Sequence, residues 1–197
     1  VNSRGATAID IKNFENVNFD VAHNVSHGDT LLSLTNGAGT SIDWSKMKLK
    51  NLDAVTASPT TNHILTLVDS ANDVTFTNYD PARARETKKD GDYEYVLNTD
   101  NATDHAKKVD VIGYRFANNH ATYDASLGTN PKAWGGRTKV GNKVENNSLA
   151  VTGGAVTAAA YGGVAENFEG DGHGNYKPTG DAANNKLSLE GGTIADG

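Results

Sequence analysis

Apolar and polar positions alternate with a period of two along most of the chain. Ala8 to Ile11, Val17 to Val21, Thr30 to Leu34, His63 to Val68 and Val74 to Phe76 each read this way. Gly, Asn, Asp or Ser bounds each run, so the pattern predicts short strands separated by turns. Tyr93 to Leu97 and Val109 to Phe116 predict two more strands, with the polar stretch Asn98 to Lys108 between them. Helical period is nearly absent. Pro81 to Lys88 is too short and too polar for more than a turn of helix. Tyr123 to Trp134, rich in Gly, Asn and Pro, predicts irregular chain.

The last third repeats itself. Asn146-Asn147-Ser148-Leu149-Ala150-Val151-Thr152-Gly153-Gly154-Ala155-Val156 is echoed by Asn184-Asn185-Lys186-Leu187-Ser188-Leu189-Glu190-Gly191-Gly192-Thr193-Ile194. Ala133-Trp134-Gly135-Gly136 is echoed in turn by Ala160-Tyr161-Gly162-Gly163. Helix-free repeats of this length predict a β-solenoid, in which like residues stack at about 4.8 Å per rung. Stacking would place Leu149, Val151 and Val156 over Leu187, Leu189 and Ile194. It would also align the Asn pairs into an amide ladder at a corner, and the double Gly would supply a bend with positive φ. An antiparallel sandwich explains the alternation equally well, but it explains the register of the repeats poorly. The expected class is therefore all-β, a parallel β-solenoid with loop excursions. Rungs are expected over 1–80, an irregular or inserted region with strands over 81–132, and repeats over 133–197, in one continuous domain.

Composition agrees with a thin core. Apolar residues make up 37% of the 197, aromatics only 7%, and there is one Met. A net charge of −6 with no basic stripe argues against nucleic acid as a partner. The run Arg83 to Lys89 is short, flanked by acids and read as a solvated loop. The absence of cysteine excludes a disulfide framework, thiol catalysis and thiolate metal sites. No apolar run is long enough to span a bilayer, and no signal peptide or barrel pattern is present.

The unit N-N-x-L-x-V-x-G-G-x-V, leading into Ala160-Tyr161-Gly162-Gly163, resembles the repeated unit of autotransporter adhesin passengers from Gram-negative bacteria. Phe14 to Val21, followed by Gly28-Asp29-Thr30-Leu31-Leu32-Ser33-Leu34, is similar to that family's F-x-F and N-G-D-T segments. Ala22 stands where the family commonly has Pro, and His27 where it has Asn. Residues 80–130 match no family pattern. The resemblance implies a right-handed parallel β-helix at the bacterial surface, anchored by an outer-membrane barrel outside this sequence. It further implies adhesion or a stalk role, a host or bacterial surface protein or glycan as partner, and self-association through open solenoid ends.

Candidate chemistry is sparse. No Gly-Asp-Ser-Gly nucleophile setting is present, and Gly28-Asp29-Thr30 reads as a strand-entry turn. Asp90, Asp92, Glu94, Asp100 and Asp104, with Arg83 or Arg85, are the acids and bases that a polysaccharide-cleaving enzyme would use. The sequence fixes no geometry among them, so no catalytic residue and no cofactor is assigned. Such a lyase or glycosidase, or a filament subunit, is the alternative function. Glu169, Asp171 and Asn175, spaced by Gly, are the candidate oxygen ligands for Ca²⁺. His23 and His27 are four apart, but in a strand or turn context that spacing does not align them as it would on a helix. Tyr93, Tyr95, Tyr114, Tyr123 and Trp134 are the candidate contact residues, because aromatic rings stack on sugars or anchor protein partners. Trp134 and Tyr161, each before a Gly pair, also read as stacked corner residues.

Overall fold

The structure, a computed structural model, describes residues 6–12, 16–21, 25–166, 168–170, 176–178 and 180–195. Strand accounts for 54% and helix for 8%, so the all-β class stands. Two compact units divide the chain. One comprises Val1–Val55, His63–Gly91 and Tyr95–Gly113, the other Thr56–Asn62, Asp92–Glu94 and Tyr114–Gly197.

In the first unit the alternating runs become β1 (Ala6–Ala8), β2 (Asn18–Asp20), β3 (Thr30–Leu34), β4 (Ser41–Asp43), β5 (Lys48–Lys50) and β6 (His63–Thr77). β7 (Lys88–Asp90), β8 (Tyr93–Thr99) and β9 (His105–Arg115) follow, with Tyr93 and Glu94 of β8 and Tyr114 and Arg115 of β9 belonging to the second unit. β3 pairs parallel with β1 and β6, and β4 also pairs parallel with β6. β9 then runs antiparallel to β6, with three register shifts. Ile64 to Val68 of β6 are all buried, as expected of a strand covered on both faces. The Pro81–Ala84 turn is the single α-helical element described; Asp80 caps it by accepting the Ala82 N–H at 2.9 Å.

The second unit holds β10 (His120–Tyr123), β11 (Thr129–Thr138), β12 (Val144–Glu145), β13 (Ser148–Val151) and β14 (Ala155–Ala165). β15 (Phe168–Gly170), β16 (Tyr176–Pro178), β17 (Ala182–Ala183), β18 (Lys186–Leu189) and β19 (Thr193–Ile194) complete it. Three short parallel sheets form, ordered β10-β13-β18, β11-β14-β19 and β12-β17. Equivalent residues of the repeats meet in register: Leu149 with Leu187, Val156 with Ile194, Trp134 with Tyr161. Ala121, Tyr123, Ala133, Leu149, Val151 and Val156 make the core between them.

The expected right-handed parallel β-helix is not the fold. Among the described residues the strands fall into six separate sheets. One of these is mixed, because β9 lies antiparallel on β6, and β15 with β16 is antiparallel outright. The misreading has a physical origin: a period of two reports which face of a strand is buried, and says nothing about the direction of the strand beside it.

The glycine pairs divide into two kinds. Gly154 and Gly192 have φ of 75° and 71° and make the bends. Gly135 and Gly136 lie inside β11, and Gly162 and Gly163 inside β14, where the need is for close approach. A Cβ on Gly135 would stand 2.2 Å from the Gly162 carbonyl oxygen, and one on Gly136 would stand 2.3 Å from Asn147 Cγ. Tyr123 to Trp134, expected to be irregular, supplies the end of β10 and much of β11 for the same reason: a neighbouring strand takes up its backbone groups.

In the first unit, His27 Nδ1 is buried without a hydrogen-bond partner among the described residues, and the His27 ring lies edge-on to His63, 6.2 Å between centroids. Burial, then the nearby His63, lowers the His27 pKa from its ordinary value. The unfolded chain therefore takes the proton more readily, and stability falls as pH drops through about 6.5. Between about pH 7.5 and 5.5 the urea midpoint is expected to decrease, and His27→Gln is expected to flatten that decrease. Carboxylates titrate lower, near pH 4, and leave this window clear.

Candidate functional site

Along β11 the outward positions carry Lys132, Trp134 and Arg137, and Lys139 follows just past the strand's end. Lys132 and Trp134 flank Ala133, which is fully buried, so the two share the outer face of the strand. The close approach at Gly135 and Gly136 shifts the alternation, and Arg137 returns to the same face. Its guanidinium lies 4.5 Å from the centroid of the Trp134 ring and 4.6 Å from that of Tyr114. The two rings meet edge-to-face at 6.3 Å. Lys139 Nζ stands 5.7 Å from the Tyr114 centroid. Tyr161, in register beside Trp134 on β14, is 37% exposed.

Arg137 is held from the far side by Glu166, whose Oε2 accepts from both Nε, at 3.0 Å, and Nη2. A guanidinium stacked on two aromatic faces and paired with a carboxylate is fixed in place, and its charge is partly offset. Lys132 and Lys139 are exposed and have no ion pair among the described residues. The row therefore presents aromatic surface with unpaired cations at each end.

Beneath the row, Glu94 is buried. It accepts from Thr138 Oγ1 at 2.5 Å, the Lys139 N–H at 2.6 Å and Asn142 Nδ2 at 2.8 Å. These bonds fix the end of β11 from which Arg137 and Lys139 project.

Of the five aromatic residues singled out by sequence, the structure brings Tyr114 and Trp134 together. Tyr93, Tyr95 and Tyr123 are buried. Burial, then Asp90, pushes the Tyr95 phenol up to about 12. The Tyr123 hydroxyl is 3.0 Å from the Gly128 carbonyl oxygen and 2.9 Å from that of Ala155. The sequence reading missed Lys132, Arg137 and Lys139. Their signal was present as cations at alternate positions around Trp134, hidden because Gly135-Gly136 was taken for a turn.

The acids weighed for sugar cleavage have local work. Asp90 accepts the Leu52 N–H, Asp100 the N–H groups of Lys107 and Lys108, and Asp92 the Asn118 amide. Asp104 bonds His105, and Arg83 leans 3.7 Å from Asp80. Of the calcium candidates, Asp171 and Asn175 lie outside the described residues, and Glu169 lies on β15. His23 is also outside them. No cluster of three or more acidic or histidine side chains suited to a metal occurs among the described residues.

No family model matches the chain, and neither does any curated protein or solved structure. Among the described residues no helix is long and apolar enough to cross a membrane.

The asparagine repeat forms a ladder. Asn147 Oδ1 accepts the Asn119 N–H at 2.9 Å, and Asn185 Oδ1 accepts the Asn147 N–H at 3.1 Å. Asn147 Nδ2 donates to Asn185 Oδ1 and to the Phe116 carbonyl, both at 2.9 Å. The residues just before, Asn118, Asn146 and Asn184, take left-handed φ of 52°, 56° and 55°. Asn tolerates that conformation better than most non-glycine residues. Asn118-Asn119 is thus a third copy of the motif, missed because Ala121 and Tyr123 replace its aliphatic residues.

Proposed function

We propose that this chain is an extracellular contact module, a surface-displayed segment acting in adhesion, with a glycan as its partner. The observation that carries the reading is the pair Trp134 and Tyr161, side by side on the outer face of one sheet, with Tyr114 of β9 edge-on to Trp134 and Arg137 bracing both. The C–H face of a pyranose is apolar, and an aromatic ring offers it a flat, electron-rich surface. Rings fixed on strands present that surface with little entropy left to lose. The likeness of the repeats to autotransporter adhesin passengers supports the same reading, and with it a place at a bacterial cell surface.

The test is a glycan array probed with the purified chain. Trp134→Ala and Tyr161→Ala are each expected to weaken the leading hit by about tenfold, roughly 1.4 kcal/mol, with the circular dichroism spectrum unchanged. An array with no reproducible hit would move the function to a stalk that spaces some other binding surface.

A further inference from the structure

Resting on the glycan reading above, we infer that the row on β11 takes an anionic saccharide, one bearing carboxylate or sulfate groups, in preference to a neutral one. Among the described residues three cations stand on this face, and one acid, Glu166, is in contact with it. That is the reverse of the chain as a whole, whose net charge is −6. Glu166 offsets Arg137, which leaves Lys132 and Lys139 as the cations available to a ligand. They lie seven residues apart, one on β11 and one just past its end, a span of roughly 20 Å. A short oligosaccharide covers that distance with its ring faces on Tyr161 and Trp134 and its charged groups at the two ends.

The arrangement also resembles the stacking-plus-cation surfaces that hold single-stranded nucleic acid. One feature favours sugar. A chain of net charge −6 repels a long polyanion beyond the patch, whereas a short acidic saccharide needs only one or two charges met.

The experiment is calorimetric titration of the whole chain with four probes: a glucuronate-containing hexasaccharide, a sulfated hexasaccharide, a neutral cellulose hexasaccharide and single-stranded oligothymidylate. At low salt one or both acidic sugars are expected to bind at least about tenfold tighter than the neutral one, and to lose most of that advantage at about 0.3 M salt. Which of the two binds tighter identifies the anionic group. Lys132→Ala with Lys139→Ala should bring the acidic sugars down to the affinity of the neutral one. Lys48→Ala, on β5 of the other unit, should change neither. Equal, salt-independent binding of neutral and acidic sugars would overturn the charge preference and leave the glycan reading standing. No binding by any sugar would overturn the glycan reading itself. Oligothymidylate binding as tightly as the acidic sugars, and weakening with the same lysines, would overturn the saccharide assignment in favour of general polyanion attraction.

Discussion

Replacing Asn147 by Leu, a side chain of similar size, is expected to destabilise the second unit by about 1–3 kcal/mol. Asn147 is 1% exposed, and its side chain takes part in three hydrogen bonds. One satisfies the Asn119 N–H, which has no substitute among the described residues; the Phe116 carbonyl still accepts the Glu145 N–H, and the Asn185 amide oxygen still accepts the Asn147 N–H. The Leu side chain fills the space and makes none of them. Each buried donor or acceptor left without a partner costs about 1–3 kcal/mol. The loss is then a large part of the roughly 5–15 kcal/mol that stabilises an ordinary domain. Urea unfolding should show a lower midpoint with unchanged slope, since the surface exposed on unfolding is the same. Ser148→Ala, one residue along, is the control. Its hydroxyl bonds only His120, at an exposed position, and the expected change is within about 0.5 kcal/mol. A midpoint for Asn147→Leu as small a shift as the control's would mean that the ladder is incidental to packing.

Glu94→Ala is the second large effect, expected at about 3 kcal/mol. The substitution removes one carboxylate and strands three donors, the Thr138 hydroxyl, the Lys139 N–H and the Asn142 amide. Glu94→Gln should fall between wild type and Ala, because one of its two terminal atoms becomes a donor facing donors. The consequence extends to the binding row. Thr138 and Lys139 close the strand that presents Arg137 and Lys139, so Glu94→Gln should weaken glycan binding even at temperatures where the protein stays folded. Thermal melting followed by titration separates the two effects. Full affinity in a folded Glu94→Gln protein would show that the end of the strand holds its place without the carboxylate.

Several features were legible in the chain before any coordinates. The alternation at Thr30–Leu34 and Tyr93–Leu97 specified strands, although burial there does not keep the period of two: Leu31 and Leu32, and Tyr93, Glu94 and Tyr95, are buried in succession. The spacing of the Asn-Asn and Gly-Gly echoes specified which residues stack, and Leu149 does meet Leu187, and Trp134 Tyr161. The short, polar run Pro81 to Lys88 allowed no more than a turn of helix, and Pro81–Ala84 forms that turn.

Only the tertiary structure decided the rest. Strand direction is a property of a pair, and β9 turning antiparallel on β6 is invisible in either strand's own pattern. The same holds for glycine: Gly154 and Gly136 look alike in sequence, yet one bends the chain and the other yields space to Asn147. Which aromatics face solvent was settled likewise. Tyr93 and Tyr123 fill the core while Tyr161 stays exposed, since burial depends on what packs against a ring from distant parts of the chain. Local pattern records what each residue prefers, and the site arises where those preferences are satisfied by neighbours that the pattern does not name.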